Sequence, residues 1–232
     1  MQALKLPEPY YSDDLATLYH GDCAQIVPLL GSFDLLLTDP PYGLNENPKR
    51  NRSRGKPAGS RSPSRKPTMI YEKDYGTFDW DAQPPASWLI TSLIASCDKS
   101  IIWGGNYFTL SAARCWLVWD KDNSGDFADC ELAWTNLDKA VRKFTWRWNG
   151  MLQEDMKNKE NRVHPTQKPL PLMHWCLSQV PDAKTVLDPF MGSGTTLLAC
   201  KQKGIKAVGI EMNEQYCDAA ASRLSQRTIY ET

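Results

Sequence analysis

The sequence predicts an α/β fold built on a largely parallel sheet. Three observations predict it. Short apolar runs, such as residues 33–38, 185–187 and 206–210, alternate with longer stretches that read as helices. Several runs end abruptly in polar or glycine-bearing turns, which suits strands whose C-terminal ends face a ligand. With 232 residues, 41% of them hydrophobic, the chain can bury one core, and we read residues 1–232 as one domain.

In chain order, residues 15–20 read as a strand ending at Gly21-Asp22-Cys23. Residues 24–30 read as a short helix made irregular by Pro28. The strand 33–38 follows. Residues 45–68 lack periodicity and read as a flexible loop. A helix over 86–97 follows Pro84-Pro85, then a strand over 100–103 stopped by Gly104-Gly105-Asn106. A helix is expected over 107–113 and a strand over 115–119. Residues 131–136 and 143–148 are expected to form an antiparallel pair at the sheet edge, with 150–163 a polar loop. Trp116, Trp119, Trp134, Trp146 and Trp148 cluster in this region and read as core packing. A helix over 170–180, a strand over 185–187, a helix from 195 to Lys203 stopped by Gly204, a strand over 206–210 and a last helix capped by Asn213 complete the alternation.

Composition excludes several classes. No apolar run approaches the ~20 residues that span a bilayer. Residues 1–14 include Glu8, Asp13 and Asp14 rather than a secretory apolar stretch, so a cytoplasmic location is expected. The seven cysteines form no Cys-x-x-Cys pair, and the three histidines lie far apart. Neither a disulfide framework nor a metal site is expected. The net charge of zero hides a strong asymmetry. Lys49, Arg50, Arg52, Arg54, Lys56, Arg61, Arg65 and Lys66 occupy one acid-free stretch, leaving −8 on the remaining residues. Such an arm suits phosphate contacts, although many charge runs are only solvated linkers.

Two stretches carry chemistry. In the first, a buried strand gives way to Asp39-Pro40-Pro41-Tyr42. The prolines forbid a helix and fix an extended exit. An ionised Asp39 and the Pro40 carbonyl can only accept hydrogen bonds. Together they suit a planar ring with an exocyclic NH2 group, and Tyr42 offers a stacking face. The alternative is an ordinary turn in which Asp39 caps a neighbour. In the second, a strand runs into Asp188-Pro189-Phe190-Met191-Gly192-Ser193-Gly194-Thr195-Thr196 and a helix start. Glycines there let backbone approach a ligand. The Lys-Ser/Thr of a phosphate loop is missing, and Leu197 stands where a dinucleotide fingerprint needs its third glycine. Glu211, at the end of the next strand, is placed to bind ribose hydroxyls. The ligand is therefore nucleoside-like and need not carry phosphate.

These stretches resemble signatures of the β-class amino-methylating DNA methyltransferases. Asp188 to Thr196 is similar to their S-adenosyl-L-methionine signature, and Asp39 to Tyr42 to their catalytic signature. His164-Pro165-Thr166-Gln167-Lys168-Pro169 is similar to the segment that precedes the cofactor signature. The resemblance implies a Rossmann-like S-adenosylmethionine-dependent methyltransferase fold: a mostly parallel sheet, an antiparallel edge hairpin, and helices on both faces. It implies that Asp188, Pro189, Phe190, Gly192, Ser193, Gly194, Thr195 and Thr196 wrap the cofactor, with Glu211 at its ribose and Asn213 also bound to it. Asp22 and Cys23 would lie by the adenine, and His164, Thr166, Gln167 and Lys168 at the methionine end, with Asp39 bordering both ligands. Asp39, Pro40, Pro41 and Tyr42 would hold the target amine. The implied reaction is methylation of adenine N6 in double-stranded DNA, on a base flipped from the helix. Asp rather than Ser at position 39 favours adenine over cytosine N4. Target recognition would fall to residues 122–163: either recognition is modest, or the basic loop and a second subunit share the work. A homodimer and a restriction endonuclease are the expected partners, with a bacterium or phage as the source. The rival readings are cytosine-N4, RNA, small-molecule or protein-amide methylation, and a nucleic-acid-binding module without catalysis.

Overall fold

The computed structural model describes residues 5–44, 83–122, 128–149, 152–160 and 167–226. A nine-stranded sheet forms the centre, in the order β1-β2-β11-β10-β3-β4-β6-β5-β7. The strands are β1 (Tyr11–Ser12), β2 (Ala16–His20), β3 (Phe33–Thr38), β4 (Cys97–Trp103), β5 (Trp116–Asp120), β6 (Cys130–Thr135), β7 (Arg142–Thr145), β10 (Thr185–Asp188) and β11 (Lys206–Glu211). A separate two-stranded ribbon pairs β8 (Trp148–Asn149) with β9 (Leu152–Gln153), and β9 lies inside the stretch 150–163 expected to be loop.

The strands are apolar along their length because both faces are covered. In β3, Leu35 and Leu37 join one buried cluster and Leu36 the other. β10 divides Val186 and Leu187 in the same way, as successive side chains must. The first face carries α3 (Leu170–Ser178), α4 (Thr195–Gln202) and α5 (Glu214–Ser225). The second carries α1 (Cys23–Ile26) and α2 (Ser87–Ala95). Pro28 breaks α1 into a 3-10 turn over Val27–Leu29. Asn213 caps α5, its side chain accepting from the Gln215 N–H at 2.9 Å. All seven cysteines are free thiols, and only Cys130 is exposed. Trp119, Trp134 and Trp148 are buried, and Trp116 and Trp146 pack against the core.

Two expectations are corrected. Residues 131–136 and 143–148 do not pair. β6 lies between β4 and β5, antiparallel to both, and β7 runs parallel to β5 at the outer edge. Burial explains the order. Ala133, Trp134 and Thr135 of β6 are all buried and need sheet on both sides, whereas β7 is mostly exposed and suits an edge. The antiparallel hairpin is therefore β5–β6, one place in from the edge. Residues 107–113 are not a helix either. A 3-10 turn covers Gly105–Tyr107, and chain without helix or strand follows, where the Ser111 carbonyl accepts from the Trp134 indole at 2.8 Å.

The topology creates a crevice. From β3 the chain passes through α2 to β4, on one side. From β10 it passes through α4 to β11, on the other. The adjacent strands β3 and β10 therefore part at their C-terminal ends, which is where open α/β sheets bind ligands.

Candidate active site

Asp188 ends β10 and Thr38 ends β3, and the two close the floor of the crevice. The Thr38 hydroxyl donates to Asp188 Oδ1 at 2.8 Å, and the Phe190 N–H donates to the same oxygen at 3.3 Å. Burial pushes the Asp188 carboxyl up to about 6, against hydrogen bonds from Thr196, Thr38 and Phe190. Its carboxylate thus ties two strand ends together.

The turn after β10 depends on its glycines. Gly192 and Gly194 adopt φ of 50° and 73°. A Cβ on Gly194 would lie 2.9 Å from the Ala220 Cβ, so the glycine also lets α5 approach closely. Glu211 braces the turn: its Oε2 accepts from the Gly192 N–H at 3.0 Å and its Oε1 from the Asn213 N–H at 2.8 Å. Burial raises the pKa of Glu211. The neighbouring strand end belongs to β2, with His20 opposite Glu211 and the Gly21 N–H donating to the Glu211 carbonyl at 2.9 Å. Asp22 follows directly and caps α1 through the Ala24 N–H at 2.9 Å, and Cys23 is buried beneath it. From α5, Arg223 Nη1 donates to the Ser193 carbonyl at 2.6 Å and to the Ser193 and Thr195 hydroxyls at 3.1 Å.

Across the crevice, charged groups crowd around Asp39. The Tyr42 hydroxyl donates to Asp39 Oδ1, and Lys168 Nζ lies 2.5 Å from Oδ2. The same ammonium is 3.1 Å from Glu131 Oε2, and Glu131 also pairs with Lys121. Burial disfavours the Lys168 charge, yet Asp39 and Glu131 outweigh it and hold its pKa well above the usual lysine range. Burial likewise opposes the Glu131 charge, but Lys168 and Lys121 bring it down to about 2. For Asp39, burial and the Glu131 charge outweigh Lys168, and its pKa is raised. The Tyr42 ring stacks on Tyr107, centroids 4.9 Å apart, and meets Phe108 edge-on. Phe108 and Phe190 pack on the same face of the sheet, so both sides of the crevice share one apolar base. Gly104, with φ of 66°, passes against the Tyr42 ring where a Cβ would collide with it.

Pro40 is buried and Pro41 half-buried, fixing the exit from β3. Gln167 and Lys168 span the two halves. Gln167 Oε1 is 3.4 Å from the Ser193 hydroxyl, whereas Lys168 reaches Asp39. His164, Thr166 and the basic residues Lys49, Arg50, Arg52, Arg54, Lys56, Arg61, Arg65 and Lys66 lie outside the described residues. Glu131, Lys121, Tyr107 and Arg223 carry no motif in the sequence. Only Glu131 had a signal, an acid that precedes three apolar residues within one strand.

The fold is Rossmann-like, with the site in the crevice between β3 and β10. The "DNA methylase" family model for N6 and N4 methyltransferases matches residues 119–222. The type II methyltransferase M2.LlaDCHI of Lactococcus lactis subsp. cremoris is 23% identical over 272 residues, 97% of this chain and 95% of its own. M.HpaI of Haemophilus parainfluenzae is 41% identical over 68 residues, 29% of this chain and 22% of its own. The solved M1.HpyAVI–SAM complex shares the fold, with a TM-score of 0.52 and 22% identity over 91% of this chain and 100% of that one. So does the cytosine-N4-specific PvuII DNA methyltransferase, with a TM-score of 0.56 and 16% identity over 96% of this chain and 91% of that one. The chain resembles the amino-methylating DNA methyltransferases in fold, in signature order and along nearly its whole length.

Proposed function

We propose that the protein transfers a methyl group from S-adenosyl-L-methionine to N6 of an adenine flipped out of duplex DNA. One observation carries the proposal. The Asp39–Tyr42 exit of β3 and the glycine turn of β10 face each other across one crevice, with Gln167-Lys168 touching both. The residues fit the cofactor: Glu211 and Asp22 present carboxylates at adjacent strand ends, and positive φ at Gly192 and Gly194 keeps the turn open to a close ligand. Glu211 would hold the ribose hydroxyls, and the turn would wrap the methionine part. When bound, this group supplies an electrophilic methyl whose S–CH3 bond breaks as the N–CH3 bond forms.

The chain's own residues align and stabilise. Asp39 accepts a hydrogen bond from the target amine, orients its lone pair and takes the proton the nitrogen loses. Tyr42 and its neighbours provide the aromatic surface that offsets part of the few kcal/mol needed to extrude a base. Residues 122–163 and the basic loop supply contacts to duplex DNA. A second copy of the chain and a restriction endonuclease are the partners we infer.

Asp39→Ala tests the assignment. Calorimetry should show cofactor binding near the wild-type level, and tritiated-methyl incorporation into DNA should fall by about a hundredfold or more. Retained incorporation would overturn the role of Asp39. Chromatography of the nucleosides distinguishes N6-methyladenine from N4-methylcytosine, the product of the nearest rival reading.

A further inference from the structure

Both oxygens of Asp39 are engaged, Oδ1 by the Tyr42 hydroxyl and Oδ2 by the Lys168 ammonium at 2.5 Å. A target amine that approaches Asp39 competes with both of them for its lone pairs. Lys168 is the harder group to displace, because it is 7% exposed and a buried ammonium cannot be left without a counter-charge. The structure holds that counter-charge ready. Glu131 Oε2 lies 3.1 Å from the same nitrogen, on a strand that contributes nothing to either signature. Lys121 pairs with the other Glu131 oxygen and fixes the carboxylate from the far side. Lys121 itself lies over the Trp119 ring, 4.9 Å from its centroid.

We propose that Glu131 is a positioning residue for methyl transfer: a second seat onto which the Lys168 ammonium withdraws when the target amine enters against Asp39. The inference rests on the reading of Asp39 as the acceptor of that amine. Withdrawal frees one Asp39 oxygen without uncovering a charge, since the ammonium moves between two carboxylates that both touch it. Glu131 also balances the site. Asp39 and Glu131 offset Lys168 and Lys121, so positive charge developing on the amine meets a neutral cluster rather than a cationic one. The ionisable groups facing Asp39 are Lys168, Glu131, Tyr42 and, across the crevice, Asp188. Of these, Glu131 raises the Asp39 pKa, so its removal lowers it.

Single-turnover methylation of unmethylated genomic DNA, measured from pH 5 to 9, tests the inference. Glu131→Gln should bind S-adenosylmethionine as wild type does by calorimetry. It should transfer methyl about ten- to a hundredfold more slowly, the size of one charge felt through a partly screened site, and its acid limb should move to lower pH. Glu131→Asp keeps the charge on a shorter arm and should restore the wild-type limb with part of the rate. A Glu131→Gln enzyme with wild-type rate and limb would overturn this role alone. So would a slow Glu131→Gln enzyme whose limb stays in place, since loss of packing lowers a rate without moving a titration. A wild-type protein that binds cofactor yet methylates no DNA would overturn the proposed function, and this inference with it.

Discussion

Asp188 stands between hydrogen bonds from Thr196, Thr38 and Phe190 and a burial that disfavours its charge. Its carboxyl is held at about 6 against an ordinary value of 3.8. A carboxyl with a raised folded-state pKa stabilises the fold when protonated, so its contribution declines as pH rises from about 4 to about 6. Asp188→Asn can keep the bonds from Thr38 and Phe190 and cannot ionise. Relative to wild type, it should gain roughly 2–3 kcal/mol between pH 4 and pH 7, read from urea midpoints at both pH values. An unchanged difference across that range would show that Asp188 ionises in the fold without penalty. Arg223 acts on the other half of the site. Its guanidinium holds Ser193 and Thr195 by three hydrogen bonds. Arg223→Ala should weaken S-adenosylmethionine binding by about tenfold or more, the loss expected when charged hydrogen bonds that order a loop are removed. Calorimetry reads it directly, and wild-type affinity would show that the turn orders itself.

At the scale of elements, the turn after β4 governs how Tyr42 is held. Gly104 sits at φ 66° against the Tyr42 ring, and Gly105 leaves no room for a Cβ beside Trp134. Gly104→Ala should destabilise the protein by about 1–3 kcal/mol through backbone strain, and more if the ring cannot shift. It should also reduce methylation by displacing Tyr42. Thermal unfolding and the tritium assay check the two effects together. The parallel elements around this turn were legible in the sequence, because β3, β10 and β11 are short apolar runs ending in sharp polar chemistry. The segment after Gly105 was not. Phe108, Leu110 and Ala113 suggest helical packing, but they reach the core from irregular chain held by a side-chain bond from Trp134. The place of β6 was hidden too, since strand order depends on which runs are buried on both edges, and a local pattern does not carry that information. The same limit applies to the site. Asp39 and Gly192 announce themselves through fixed neighbours. Glu131 and Arg223 come from distant segments and meet the signatures only in the folded chain.

At the scale of the whole molecule, charge is divided between an acidic body and a basic stretch over residues 48–67. Residues 43–47 alone separate that stretch from the Asp39–Tyr42 exit in sequence. If it grips DNA, affinity should fall steeply with salt, by about 0.9 in the log–log slope for each phosphate neutralised. Deleting residues 48–67 should flatten that slope by several units while leaving cofactor binding intact. An unchanged slope would make the stretch a linker. No helix among the described residues is long and apolar enough to cross a membrane.

On the proposed function, one crevice brings a methyl donor to an amine on a DNA base. The most direct test is nucleoside analysis of DNA from a host without adenine methylation of its own, expressing the wild-type chain or Asp39→Ala. Wild type should yield N6-methyladenine and the variant none. DNA with no methylated nucleoside above the control, from cells holding folded, cofactor-binding protein, would contradict it.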